Sequence, residues 1–267
     1  MKDQASIPFL CLKNIPTPPG VRFFFTTRHG GESDGCYESL NVGPHVGDDP
    51  LRVENNRNTI LQALDPAVES LVFINQVHGN RTITAPIDEP GLIDGDALVT
   101  RQKHLALGIM TADCVPILMA DVDGEVVAAV HAGWRGAVAG VLDSCIDRMR
   151  ELGARPERVL AIIGPSIRPP NYEVDGPFRE NFLRQPKNKK NFDCQKFFSS
   201  ETDSGTVQFD LPAYVRADLV SNCILPEKIY DVGLCTYFYR DQFFSHRRST
   251  THGSGVCGRQ MGGIYLC

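Results

Sequence analysis

Two apolar, partly β-branched runs, Ile117 to Asp121 and Glu125 to Val130, meet around Asp121-Val122-Asp123-Gly124 and constrain the fold more than any other stretch. The Asp-Gly pair favours a tight turn, so the runs are expected to close as an antiparallel hairpin. With Val122 and Asp123 as the loop, Cys114 falls directly opposite His131, with Cβ atoms roughly 5 Å apart on one face. With Asp123 and Gly124 as the loop, the pairing moves by two residues, which preserves the face because side chains alternate with period two. Only a three-residue loop would separate the pair. A thiol and an imidazole therefore meet at the open end of the hairpin, and a third metal-competent residue, His78, waits upstream in Gln76-Val77-His78-Gly79.

Two chemistries suit these residues. Two imidazoles and a thiolate with room for a fourth ligand describe a catalytic rather than a structural zinc site. A Cys114 nucleophile with His131 as base needs only those two side chains. His78 discriminates, because a metal uses it and a dyad does not. Asp96 and Asp113 are candidate general bases or partners of a ligating histidine. Trp134, the only tryptophan, either lines the site or anchors the core beside the following helix. Arg135 and Gly136 lead into that helix, whose first amides can hold an anion. Arg28, Arg247 and Arg248 offer planar donor forks for phosphate or carboxylate. His29, His45, His104, His246 and His252 lack ligand-like spacing and are assigned no metal role. No His-x-His occurs, which argues against a true multicopper oxidase.

The remaining pattern reads as one α+β domain with layered sheets, since strands and helices mix without regular βαβ alternation. Strands are expected at Gly20–Arg28, Leu71–Val77, Arg81–Ala85, Asp96–Thr100, Leu105–Met110, Val159–Ile163, Ile229–Thr236, Phe243–Arg247 and Ile264–Leu266. Helices are expected at Val53–Leu64, Gly136–Leu152, Phe178–Leu183 and from an Asp210 cap to Val220, with Pro212 tolerated in the first turn. Residues 29–50 form a long Gly-rich loop, 185–208 an exposed polar insertion, and Lys187 to Lys190 a solvated basic run. Net charge is −5 with scattered basic residues, so no stripe suggests a nucleic-acid partner. Residues 1–19 read as an N-terminal extension without an apolar signal core. No run approaches ~18 consecutive apolar residues, so no membrane role and a cytoplasmic location are expected. Nine cysteines, an odd number without Cys-x-x-Cys, fit free thiols in a reducing compartment.

Several motifs in order are similar to the YfiH family of laccase-domain proteins, also labelled polyphenol oxidase-like or purine nucleoside phosphorylase. They are Gln76-Val77-His78-Gly79, Asp94-Gly95-Asp96-Ala97-Leu98-Val99-Thr100, Thr111-Ala112-Asp113-Cys114-Val115-Pro116, His131-Ala132-Gly133-Trp134-Arg135-Gly136, Ile163-Gly164-Pro165, Tyr172-Glu173-Val174 and Phe244-Ser245-His246-Arg247-Arg248. The resemblance implies a layered α/β/β/α fold like the cytotoxic necrotising factor catalytic domain. It implies zinc, with copper as a possible substitute, on His78, Cys114 and His131. It also implies phosphorolysis of adenosine, inosine and methylthioadenosine, with adenosine deamination as a side activity. Where relatives commonly carry Cys after Ile-Gly-Pro, this chain has Ser166. Arg28, Asn41, Arg247 and Arg248 are the candidate phosphate group, with nucleoside and phosphate as small-molecule partners, and Cys114, His131 and Asp113 the candidate catalytic residues. The competing readings are a hydrolase of amide or muropeptide-precursor substrates, an adventitious copper-dependent phenol oxidase, and a non-catalytic metal-binding protein.

Overall fold

The computed structural model describes residues 9, 10, 12, 15–87, 92–121, 123, 125–189, 193–201 and 205–267. Its strands and helices, in chain order, are β1 (Val21–Phe25), α1 (Pro50–Ala63), β2 (Ser70–Val72), β3 (Thr82–Thr84), β4 (Ala97–Thr100), β5 (Leu105–Thr111), β6 (Val115–Ala120) and β7 (Val127–Ala132). There follow α2 (Trp134–Ala139), α3 (Val141–Glu151), β8 (Leu160–Ile163), β9 (Glu173–Asp175), α4 (Gly176–Arg184), β10 (Thr206–Gln208), α5 (Leu211–Ser221), β11 (Ile229–Asp231), α6 (His246–His252) and β12 (Gln260–Leu266).

The hairpin forms as β6 and β7, with Pro116 opposite His131. This is the second of the two expected registers, so Cys114 precedes β6 and falls opposite Gly133 rather than His131. Val122 and Gly124 of the expected turn lie outside the described residues. Beside them, Asp121 N donates to Val126 O at 2.9 Å and continues the ladder. The hairpin occupies the centre of a mixed six-stranded sheet in the order β11-β8-β6-β7-β4-β3, and a second mixed sheet runs β1-β12-β5-β2.

Period-two alternation sorts the side chains into layers. Along β6, Val115, Ile117 and Met119 pack toward α3 and α5, while Leu118 and Ala120 meet Leu107, Ile109 and Ile264 of the other sheet. The far face of that second sheet, through Phe24, Met110 and Met261, packs with Ile60 of α1. Three apolar cores thus separate four layers, in the order α1, four-stranded sheet, six-stranded sheet, helices. Burying apolar surface on both faces of each sheet makes both sheets nearly continuous hydrophobic runs. No helix among the described residues is long and apolar enough to cross a membrane.

Several boundaries differ from the sequence expectation. The helix expected over Gly136–Leu152 breaks into α2 and α3 at Gly140, whose φ of 90° is left-handed. The strand expected at Phe243–Arg247 is instead the entry to α6, where Ser245 Oγ accepts from Arg248 N at 3.2 Å. Residues 185–208 are not simply an exposed insertion: Cys194, Phe197, Phe198 and Val207 are buried, and β10 pairs with β9. Lys187 is not solvated either, since its Nζ meets Asp218 at 2.7 Å and Asp143 at 2.8 Å; Lys190 lies outside the described residues. A few apolar residues without periodicity and one lysine facing two distant carboxylates leave no local signal. Within the N-terminal stretch, Leu10 N donates to Phe25 O at 3.0 Å, so this part runs along β1.

Candidate metal centre and its cavity

The three predicted ligands converge. His78, Cys114 and His131 present ligand atoms that all lie within 4.8 Å of one another, and they alone form such a three-donor group among the described residues. Cys114 Sγ stands 3.7 Å from His78 Nε2, and the two imidazole centroids are 4.7 Å apart at 79°. Tetrahedral zinc with bonds of about 2.3 Å to sulfur and about 2.0 Å to nitrogen needs donors about 3.5 Å apart, so the donor set fits.

Two aspartates aim these ligands. Extending the β4–β7 ladder by one residue puts Asp96 opposite His131, whose N donates to Asp96 O at 2.8 Å. His131 Nδ1 donates to Asp96 Oδ1 at 2.7 Å, which leaves Nε2 facing the other ligands. The same carboxylate accepts from the backbone N–H groups of Val77 (3.3 Å), His78 (3.0 Å) and Gly79 (2.6 Å). It thereby holds His78 at a φ of 60°, a conformation costly for a residue with a side chain. Asp113 has a φ of 93° and delivers Cys114. Its carboxylate accepts from Thr236 Oγ1 at 2.6 Å, Ser245 Oγ at 3.0 Å and Arg247 N at 2.6 Å. Gly133 closes the cluster, because a Cβ there would stand 2.8 Å from His78 Cδ2 and 3.0 Å from Cys114 Sγ.

The charges follow from this packing. Burial opposes a thiolate at Cys114, but His131 and then His78 outweigh it and bring the thiol down to about 6. Burial likewise opposes an imidazolium at His131, yet Cys114 and Asp96 push it up to about 9. At Asp96, burial is outweighed by His131 and by the Gly79 and His78 amides, which hold the carboxyl below its ordinary range. Without metal, neutral pH thus favours a thiolate beside an imidazolium.

The centre lies on a cavity of about 460 Å³, whose walls include Trp134, Tyr172, Arg135, Arg247, His246, His45 and Arg259. Trp134 satisfies both of its sequence readings, since it lines the cavity and its ring meets Phe178 at 5.0 Å. His45 and Arg259 carried no usable sequence signal, because only distant chain crossings bring them here, while His246 was signalled only by its place beside Arg247 in the motif of residues 244–248.

The candidate phosphate residues separate. Arg247 reaches the cavity wall, but Arg28, Asn41 and Arg248 do not. Arg28 Nε donates to Glu38 O at 2.7 Å and its guanidinium lies over Phe244. Arg248 donates to the carbonyls of Thr236 and Tyr237, each at 2.8 Å, and to Phe243 O. Asn41 is fully buried and tied to backbone and Asp48. Each is an internal donor to carbonyls, which a residue-by-residue reading cannot distinguish from a free fork. Asp113 lines the cavity with all its short contacts spent on α6 and Thr236. Ser166 lies fully buried with its Oγ unpartnered, beside Cys235 in an isolated bridge.

An open two-histidine, one-cysteine centre beside the two large sheets of a layered α/β fold defines the class of site. The profile of the family described as multi-copper polyphenol oxidoreductase laccase matches residues 22–267. The chain belongs to this laccase-domain family. A purine nucleoside phosphorylase of Corynebacterium glutamicum is 38% identical over 251 residues, covering 92% of this chain and 94% of that protein. One of Bacteroides thetaiotaomicron is 34% identical over 275 residues, covering 99% and 97%. Among solved structures, a Neisseria meningitidis protein superposes with a TM-score of 0.82 at 33% identity, covering 98% of this chain and 99% of that one. The YfiH protein of Bacillus licheniformis gives 0.83 at 32%, covering 92% and 93%.

Proposed function

We propose that the protein is a zinc-dependent purine nucleoside phosphorylase acting on adenosine, inosine and methylthioadenosine, with adenosine deamination as a side reaction. The observation that carries this reading is the set of His78, Cys114 and His131 donors on a cavity with aromatic and cationic walls. Its volume lies in the range of small-molecule sites. The relatives' names supply the substrate class. Mixed imidazole and thiolate ligation with no fourth protein donor among the described residues suits zinc, and copper can occupy the same ligands adventitiously. Zinc bound there supplies a concentrated positive charge and a lowered pKa for water.

The chain's own residues do the rest. Trp134 and Tyr172 offer apolar surface to a purine. His131 keeps its Nδ1 proton on Asp96 and presents Nε2. In phosphorolysis a phosphate oxygen bonds to C1′ as the C1′–N9 bond breaks; its electron pair passes to N9, which takes up a proton. The products are free base and ribose 1-phosphate. Deamination exchanges water for ammonia at C6.

Metal analysis with product identification from adenosine, with and without phosphate, tests this reading. Ribose 1-phosphate formed only with phosphate supports it; inosine and ammonia alone make the protein a deaminase; zinc without turnover makes it a binding protein. The Cys114–His131 dyad of a hydrolase is separated by His78→Ala, which disables a metal centre and spares a dyad.

A further inference from the structure

The arginine and histidine side chains on the cavity fall into two groups. Arg135, His246 and Arg247 come from the α2 and α6 side; His45 and Arg259 come from the loop after Val42 and the residue before β12. Arg247 is already engaged. Its Nη1 donates to Glu173 O at 2.7 Å, its guanidinium lies over Tyr172, and its backbone N rests on the Asp113 carboxylate. A negative charge therefore sits beside it, and Arg135 is exposed at the rim over Trp134.

Arg259 is placed differently. Its Nη1 donates to Cys257 O at 2.9 Å and Gly258 O at 3.1 Å, while Nε and Nη2 meet no acceptor among the described residues. Asn41 Oδ1 accepts from both Arg259 N and Gly43 N, each at 2.9 Å, so one buried amide ties the His45 loop to the arginine. Asn41 Nδ2 donates to Asp48 Oδ2 at 2.9 Å, which commits that carboxylate within the loop. A Cβ at Gly43 would stand 2.6 Å from Arg259 Cγ, so the loop lies against the arginine stem because residue 43 has no side chain.

Two further groups point the same way. Arg57 has no carboxylate partner among the described residues; its Nε donates to Val42 O at 2.9 Å. His45 is held below its ordinary value by burial and then by Arg57 and Arg259, so the local field is positive. Thr111 pairs with Gln260 in the β5–β12 ladder, lines the same cavity, and is 2% exposed with its hydroxyl unpartnered. An unpaired buried hydroxyl beside a free guanidinium edge suits an oxyanion.

We propose that His45 and Arg259, positioned by Asn41, form the oxyanion subsite of this cavity, with inorganic phosphate as ligand. The anion's place as co-substrate rests on the phosphorolysis reading; the subsite itself does not. Calorimetric titration of the metal-loaded protein with inorganic phosphate alone compares the wild-type chain with R259Q, R259K, H45Q and the surface control R52Q. R259Q is expected to weaken phosphate binding roughly 10- to 100-fold. R259K and H45Q weaken it several-fold, since a lysine lacks the fork, and R52Q leaves it unchanged. His45 is exposed, so H45Q keeps the test open if R259Q does not fold. Wild-type affinity retained in both R259Q and H45Q, or no phosphate binding by the wild-type chain, overturns the proposal. Phosphate held through Arg259 without ribose 1-phosphate formation keeps the subsite and overturns the phosphorolysis reading instead.

Discussion

Asp96 does the work of two ordinary residues: one carboxylate fixes the His131 ring and three successive amides around His78. Asp96→Asn keeps the size but loses the charge and part of the accepting capacity, so metal affinity should fall roughly 10- to 100-fold, read by competition with a chelator. Unchanged affinity would show that the two loops hold themselves. The Cys114 and His131 values set a pH dependence. A metal must displace the His131 proton below about 9 and also a Cys114 proton below about 6. Affinity should therefore rise by about tenfold per pH unit between those values, and more steeply below the lower one. It is lost toward acid. A flat profile from pH 6.5 to 8 would mean that His131 is already neutral.

At the scale of elements, the hairpin was legible because its two runs and Asp-Gly signal are local. Its register was not, since two turns fit the same pattern and only packing against β4 and β8 selects between them. The α6 entry resembles a strand through Phe243 and Phe244, whereas Ser245 caps a helix and its hydroxyl and the Arg247 amide both donate to Asp113. The basic run at Lys187 looks solvated from composition, yet Lys187 joins α3 and α5 through Asp143 and Asp218. Asp218 is fully buried, and burial pushes its carboxyl up to about 6 despite Lys187. Lys187→Met should cost roughly 3–5 kcal/mol at pH 7.5, because it strands a buried carboxylate. A carboxyl raised in the folded state favours folding toward acid, so the deficit should shrink at pH 5 as Asp218 takes up a proton. Denaturant unfolding at both pH values checks this, and an equal deficit at each would mean that the charge of Asp218 is not the cause.

For the whole molecule, the candidate metal centre sits where the inter-sheet layer ends. His131 shares its face of β7 with Val127 and Ala129 of the inter-sheet core, and His78 arrives on a separate loop. A metal ligated across these segments binds only the folded chain. Zinc at a hundred times its dissociation constant should add about 2.7 kcal/mol of stability, raising Tm by roughly 5–10 °C. A chelator or His78→Ala should abolish the rise in a thermal melt; a Tm indifferent to zinc would place the metal elsewhere.

The sequence alone determined the residue types of the donor set, the central hairpin, the layered α+β class and the family, because these rest on local periodicity and on motifs read in order. Tertiary structure decided the hairpin register, the commitment of Asp113, Arg28 and Arg248 to internal hydrogen bonds, and the arrival of His45, His246 and Arg259 at the cavity. Those outcomes depend on which distant backbone groups need partners once the sheets pack, and neither composition nor spacing encodes that at any single position.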